Sequence, residues 1–293
     1  MQYSKPALTY EQQADLILSR GMTADRDRLI RRLKAVGYYR LCAYWHPFRE
    51  QDDNFRPGTS IDEVWQRYMF DRQLRLILMD AIERVEVAAR CALIDALALR
   101  HGPFAHLAPA NFPDALPGRH GEMIDDLRDR ARSSREVFVQ HFRATYDEFP
   151  DLPIWVVAET MSFGTMFTLF KMSPLKVQKA VASRFSLPAP VFSSWLHTLN
   201  YVRNLCAHHS RVWNRTLSVK PFVPRHDARW HGKNAVPNDR LFVVLTQLRY
   251  LMQIVAPRSQ WRERVFATFD RFQQVPLPSM GMPANWREHP LWL

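Results

Sequence analysis

The sequence predicts an all-α protein, a helical bundle with further helices before and after it, and three observations support this. Apolar residues recur at spacings of three and four through most of the 293 residues, which is the periodicity of amphipathic helices. Several of these segments begin at a capping residue and end at glycine, as helices do. No segment alternates apolar and polar residues in the manner of a β-strand, and no internal repeat is visible.

The N-terminal part should contain short helices followed by one long helix. Capping pairs, Thr9 with Gln12 and Ser60 with Glu63, predict helices over 9–20 and 60–100. A basic helix should cover 25–36. The aromatic segment that follows, with five aromatic residues interleaved with Arg40 and Arg49, fits a core cluster better than a base-stacking surface at this helical spacing.

The middle of the chain should hold a loop and three helices. Proline and glycine predict a loop over 102–119, a charged helix is expected over 121–147, and a buried helix over 153–172 with a kink at Gly164. Glu159 stands in that apolar segment, where an unpaired carboxylate is unfavourable, so we expect it to meet Arg203 or Arg211. Pro174 begins the next helix, which should run to 184.

The C-terminal part should add two helices, capped by Asn238 and Ser259, and then an extended tail. The proline-rich tail should pack along a surface. The expected organisation is an N-terminal helical extension over 1–56, a helical core over 57–275 and the tail over 276–293.

Composition favours a nucleic-acid partner and an intracellular setting. The formal charge is +11 and the pI is near 9.9, values that suit a polyanionic partner. Three unpaired cysteines argue against a disulfide scaffold. No signal peptide is visible, and Gln247 and Arg249 interrupt the most apolar late segment, so we expect a cytoplasmic protein with no membrane contact.

The stretch over 195–215 concentrates the chemistry of the chain. Tyr201, Asn204, His208 and Arg211 are three or four residues apart, so one helical stripe is expected to carry all four. A histidine near its neutral pKa can remove the proton of a ribose 2′-OH, and an arginine can stabilise the charge that develops on the phosphate. Arg203 is the candidate cation, but it projects roughly 140° away from His208 on an ideal helix.

Other interpretations of this stretch remain open. Cys206, His208 and His209 are metal-ligand types, although adjacent histidines diverge by roughly 100° and no second cluster completes a set. Cys206 lies on the apolar side of the helix, which disfavours a nucleophile. The glycines form no nucleotide-binding loop. Because neither a complete set of metal ligands nor a nucleotide-binding loop is evident, we expect neither a metal nor a cofactor. A polar interface between helices would also account for these residues.

The segment RNLCAHHSRVWN resembles the signature of the Abi-like family of bacterial abortive-infection proteins, the AbiD and AbiF group, within the HEPN superfamily of helical ribonucleases. Further resembling segments follow in the same order: KPALTYEQQADLILSRGM, YYRLCAYWHPFR, FRPGTSIDEVWQRYMFDRQLR, IERVEVAAR, PIWVVAETMSFGTM, SWLHTLNYVRN and MGMPANW. Arg203, Asn204 and His208 match the superfamily pattern, with His209 as the alternative histidine. Ser210 stands where a nucleotidyltransferase-paired branch has tyrosine, so regulation through that tyrosine is not expected.

The resemblance implies a HEPN-like four-helix core and an endoribonuclease toxin that cuts RNA without metal. It also implies a homodimer whose two motifs form one composite site, and a small non-coding RNA as a possible inhibitor. Arg203, Asn204 and His208 would be catalytic, with His209, Arg211, Tyr201 and Glu159 in support. Candidate RNA-binding residues are Arg40, Arg49, Arg72, Arg75 and Arg215. The alternative is a non-catalytic protein that binds RNA or senses phage.

Overall fold

A computed structural model describes residues 2, 4 and 6–293, so part of the predicted N-terminal extension and of the first resembling segment, at residues 1, 3 and 5, lies outside it. Within the described residues the chain forms twelve α-helices and no sheet, which confirms the all-α prediction. They are α1 (Tyr10–Ser19), α2 (Arg26–Val36), α3 (Tyr38–Trp45), α4 (Ile61–His101), α5 (Arg119–Ser133), α6 (Val137–Thr145), α7 (Ile154–Val157), α8 (Phe163–Met172), α9 (Leu175–Ser183), α10 (Ala189–Ala207), α11 (Leu241–Val255) and α12 (Trp261–Arg271).

The 41-residue helix α4 is the axis of the fold. At 1.5 Å per residue it is about 60 Å long. Ser60 caps its N-terminus by accepting a hydrogen bond from the Asp62 amide, and the chain leaves the helix at Gly102, whose φ of 80° favours glycine. Helices α3, α9, α10, α11 and α12 pack around it. Because both α3 and α10 contact α4, residues distant in sequence meet along its length.

The N-terminal helices follow the sequence prediction closely. The capping box of Thr9 and Gln12 is present at the start of α1. In the aromatic segment, Tyr44, Trp45 and Phe48 are buried, whereas Tyr39 is 91% exposed. The interpretation of this segment as a core cluster is therefore confirmed for most of its rings.

Two helices predicted as continuous are broken, each at a serine. The charged helix over 121–147 divides into α5 and α6, because Ser134 is extended and its hydroxyl accepts from the Glu136 amide. The segment over 153–172 divides at Ser162, which caps α8 by accepting from the Thr165 amide, and the chain has no kink at Gly164 within α8. Serine hydroxyls compete for backbone donors in this way, which a periodicity argument does not detect.

The C-terminal part differs from the prediction at three points. Asn238 and Ser259 do not cap α11 and α12, whose N-cap positions are Arg240 and Gln260, without side-chain capping bonds. The tail is not an extended strip on the surface, since it contains two 3-10 turns and buries Trp286 and Trp292 in the core. Across the described residues, no helix combines the length and apolar character that a membrane crossing requires.

Candidate functional site

Helix α10 ends at Ala207, inside the polar motif. His208 is its C-cap and His209 has a φ of 56°, in the left-handed region. The Ser210 amide donates to the Leu205 carbonyl at 2.8 Å and the His209 amide to that of Cys206 at 3.0 Å, the pair of bonds that defines a Schellman motif. The stripe through Tyr201, Asn204 and His208 therefore holds, but the prediction that Arg211 continues it is wrong because the helix has already ended.

The five residues after the cap, 209–213, form a segment that we call the motif turn. Each of its residues is bound to α3 or α4, through the following hydrogen bonds. Arg40 Nη1 donates to the His209 carbonyl (2.6 Å), Arg75 Nη1 to the Ser210 carbonyl (3.5 Å), Arg211 Nη1 to the Ala43 carbonyl (2.8 Å), and the Val212 and Trp213 amides donate to Asp71 Oδ1 (3.0 and 2.6 Å). The left-handed backbone at His209 is thus held in place by contacts with both α3 and α4.

Asp71 is the buried centre of these contacts. Its side chain is inaccessible to solvent, pairs with Arg75 and accepts a 2.6 Å hydrogen bond from the Tyr44 hydroxyl. Burial raises the pKa of Asp71, and Arg75, Tyr44 and the two amides of the motif turn oppose that rise. For Arg75, burial would lower the pKa, but the facing carboxylate outweighs it and the pKa is raised. The pair fixes the motif turn to α4.

The sequence patterns did not identify Asp71 and Tyr44 as residues of the site. A signal was present, because Asp71 follows the apolar Phe70 in a helix whose buried stripe includes Leu74, and an arginine stands four residues after it. A charged residue on an apolar stripe with a partner one turn away indicates a buried ion pair.

Arg203 lies on the side of α10 that faces Glu86 of α4. Burial raises the pKa of Glu86, while the nearby Arg90 and Arg203 act to lower it. Arg90 donates to Glu86 at 2.7 Å. Glu86 of the long helix therefore lies close enough to Arg203 to offset part of its charge.

The motif side chains occupy two sides of α10. Asn204 and His208 are four residues apart and exposed, so they share the outer side. Arg203 is four residues before Ala207, which lines a cleft against α4. His209, reversed by its left-handed backbone, lines the same cleft. Within one chain, Arg203 faces Glu86 and His209 lines the cleft, whereas Asn204 and His208 face outward.

The cleft has a volume of about 620 Å³ and gathers three of the five arginines suggested for RNA binding. Arg40, Arg72 and Arg75 line it, with Tyr68 beside them. Arg75 is neutralised by Asp71, whereas Arg40 and Arg72 are exposed. These two exposed guanidinium groups therefore give the cleft a positive charge.

The other two suggested arginines have structural contacts elsewhere. Arg49 pairs with Asp53 at 3.2 Å. Arg215 donates to the Tyr201 hydroxyl at 3.3 Å. Burial acts to raise the pKa of Tyr201, but hydrogen bonds from Ser218 and Arg215 outweigh it and the pKa is lowered.

Two remaining candidates do not join the site. Glu159 is exposed, in a 3-10 turn beside Arg130, so the prediction that it is buried against Arg203 or Arg211 is wrong. Polar residues in that short turn place it at the surface. Cys206 is buried, and burial raises the pKa of its thiol to about 12. A thiol with that pKa is protonated at neutral pH, so Cys206 is not a thiolate nucleophile.

Comparison with known proteins identifies the family of the chain. The model of one protein family, described as Abi-like protein, matches residues 31–214, from within α2 to just beyond the motif turn. No curated protein and no solved structure shows significant similarity to the chain. The match covers well over half of the sequence and includes α3, α4, α10 and the contacts between them. The chain therefore belongs to the Abi-like protein family, whose name refers to abortive infection, the defence of bacteria against phage.

Proposed function

We propose that this chain is a metal-independent endoribonuclease toxin of the HEPN type, acting in abortive infection or a toxin–antitoxin system. The observation that carries the proposal is that the end of α10 carries Arg203 and His208, and that His209, the next residue, lines a positively charged cleft. Each is a component that transesterification of RNA uses: a base, a cation for the phosphate, and a surface for the polyanion.

In this mechanism His208 removes the proton of the 2′-OH, and the resulting oxygen attacks the adjacent phosphorus. Arg203 stabilises the negative charge on the pentacoordinate phosphate, and Asn204 orients one of these groups. A proton from the conjugate acid of a histidine allows the 5′-oxygen to leave. The products are a 2′,3′-cyclic phosphate and a 5′-hydroxyl, and no redox partner or water enters this step.

The separation of Arg203 and His208 on two sides of α10 supports a composite site in a homodimer. In a two-fold dimer, Arg203 of one chain meets His208 of the other across the axis. Exposed apolar residues of α4 support the same conclusion, because Leu76 and Val87 are 51% and 46% exposed and stand eleven residues apart, on one side of the helix. A second copy of α4 would bury them next to the motif.

Purified protein tests this function directly. Incubation with RNA in EDTA should give fragments that end in 2′,3′-cyclic phosphate, detected by mass spectrometry. His208→Ala and Arg203→Ala should each lower the cleavage rate by about 10²–10⁴-fold, the usual contribution of such groups. His226→Ala is the matched control, because His226 is also exposed but lies in a loop after the motif. A requirement for added divalent metal, or full activity of His208→Ala, would contradict the mechanism.

The alternative function is RNA binding or phage sensing without catalysis. Under that alternative, expression of His208→Ala in bacteria restricts growth as much as wild type does, because a binding surface does not need the imidazole. The 260/280 nm absorbance ratio of the purified protein shows whether a regulatory RNA accompanies it. A bound RNA together with growth inhibition that His208→Ala relieves would favour a toxin held by a non-coding RNA.

A further inference from the structure

A second concave surface lies beside α10, away from the arginine cleft. It is a groove of about 470 Å³ between α10, the start of α8 and helix α5. His197 and Asn200 come from α10, Gly164 and Phe167 from α8, and Arg119 from α5. The groove is within the size range of small-molecule sites.

The groove continues the outer side of α10 that carries the motif. Asn200, Asn204 and His208 are successive residues at spacings of four, so their side chains follow one another along the helix. At 1.5 Å per residue, Asn200 is about 12 Å from His208 along the helix axis. A single strand of RNA with its scissile phosphate at His208 therefore reaches the groove within a few nucleotides.

One wall of the groove carries an aromatic stack whose outer ring is exposed. The rings of Phe167 and His197 are stacked, with centroids 5.2 Å apart and planes 11° from parallel, and His197 is exposed. Stacking of an unpaired base on aromatic residues contributes about 1–3 kcal/mol per base. Gly164 lies directly opposite the Asn200 amide, since a Cβ there would stand in van der Waals contact, 3.7 Å, with its nitrogen.

The polar groups of the groove suit the edge of a base and disfavour a phosphate. The Asn200 amide offers a donor and an acceptor side by side, which is the complement of the N6 and N7 edge of adenine. Glu122 and Asp126 line the groove, and they are paired with Arg119 at 3.2 Å and Arg130 at 2.8 Å. Because these arginines are paired, they are poorly placed to hold a phosphodiester, whereas the carboxylate oxygens can accept from a base amino group.

We propose that this groove is a nucleobase subsite, in which an unpaired adenine stacks on His197, which Phe167 supports from behind, and bonds to Asn200. The subsite selects the RNA sequence at a fixed distance from the cut. The selection of a cleavage position rests on the proposed ribonuclease function, whereas the binding of a base in the groove does not depend on catalysis.

Cleavage of an RNA pool with random sequence tests the selection. Wild type should show enriched adenine at one position relative to the cut, and His197→Ala or Asn200→Ala should reduce that enrichment about tenfold without changing the end chemistry. Because His197 is exposed, its substitution should not impair folding. The control His226→Ala should retain the wild-type preference. Unchanged base preference in both groove variants would overturn the proposal.

A binding measurement separates this proposal from the ribonuclease proposal. Full-length His208→Ala should bind fluorescent hexaadenylate, and adding His197→Ala should weaken that binding about tenfold, with a smaller effect on hexauridylate. If no RNA is ever cleaved but this difference appears, the ribonuclease function is wrong and the subsite stands. If hexaadenylate binds equally to both proteins, the subsite is wrong whether or not the protein cleaves RNA.

Discussion

The backbone amide of Trp213 donates a 2.6 Å hydrogen bond to the Asp71 carboxylate, although 142 positions separate the two residues in the sequence. Through this bond the buried interior of α4 fixes the direction in which the chain leaves the motif. The two histidines stand immediately before that point, so their placement depends on residues that make no contact with RNA in the proposed mechanism.

Replacing Asp71 should destabilise the protein strongly. Asp71→Asn keeps an oxygen for the amides of the motif turn but leaves the buried Arg75 without its counter-charge. Breaking a buried pair in this way typically lowers the free energy of unfolding by about 3–5 kcal/mol. Urea denaturation measures the change. The control Asp95→Asn, which breaks an exposed pair with Arg184, should change that free energy by less than about 1 kcal/mol; similar effects of the two variants would contradict this role of Asp71.

His209→Gly should stabilise the fold and impair function. The φ of 56° at His209 disfavours a residue with a Cβ, so glycine should raise the free energy of unfolding by about 0.5–1 kcal/mol. Loss of the ring from the cleft should lower RNA cleavage. Ser186 has a φ of 53° at the end of α9, in the same type of cap. Ser186→Gly should therefore give similar stabilisation at full activity, and an equal loss of activity in both variants would rule out a role for the ring.

The composite site predicts that two inactive proteins complement each other. Mixing Arg203→Ala with His208→Ala should restore part of the cleavage rate, because the heterodimer keeps one intact pair of Arg203 and His208. Each protein alone should remain inactive. Native mass spectrometry shows whether subunits exchange, and a mixture that exchanges without regaining cleavage excludes the model.

Arg72→Ala should weaken RNA binding in a salt-dependent manner. Arg72 is exposed in the cleft and offers one phosphate contact. Its loss should reduce the slope of log K against log salt concentration by about one. Fluorescence anisotropy at several salt concentrations measures this slope. Arg258→Ala, at an exposed position between α11 and α12, should leave it unchanged; an equal reduction would show that only total charge matters.

Acidification should destabilise the fold through His106. Burial lowers the pKa of His106 to about 4, whereas the imidazole in an unfolded chain titrates near 6.5. Between these values the unfolded chain holds the proton and the folded protein does not, so stability falls as the pH decreases. The loss between pH 7 and pH 5 should be about 2 kcal/mol. Urea denaturation at both values should show it, and His106→Leu should remove it, whereas His141→Leu, at an exposed position, should not.

The sequence predicted most helices because their ends carry strong signals. Ser60 and Gly102 delimit α4, and Thr9 with Gln12 begins α1. The breaks at Ser134 and Ser162 were not predicted, because serine is also compatible with the polar side of a continuous helix. A hydrophobic pattern reports which residues are buried, whereas a cap depends on local hydrogen bonds.

The candidate site was only partly predictable. Proximity in sequence identified Arg203, Asn204 and His208, but the opposite placement of Arg203 and His208 on α10 follows from helix geometry alone. The convergence of Arg40 and Arg72 on one cleft required the packing of α3 against α4. The left-handed cap at His209 was not predictable, because glycine is the usual residue at that position.

The central position of α4 has a consequence for biosynthesis. A ribosome completes α4 at His101, but α11, which covers part of it, begins only at Leu241. During the intervening elongation, Phe70 of α4, which packs on Phe269 of α12 in the finished protein, does not yet have that ring to cover it. Nascent chains of this kind are prone to aggregate and need chaperones. The contacts that hold the motif turn join residues 209–213 to α3 and α4 alone, so they can form before α11 has been made.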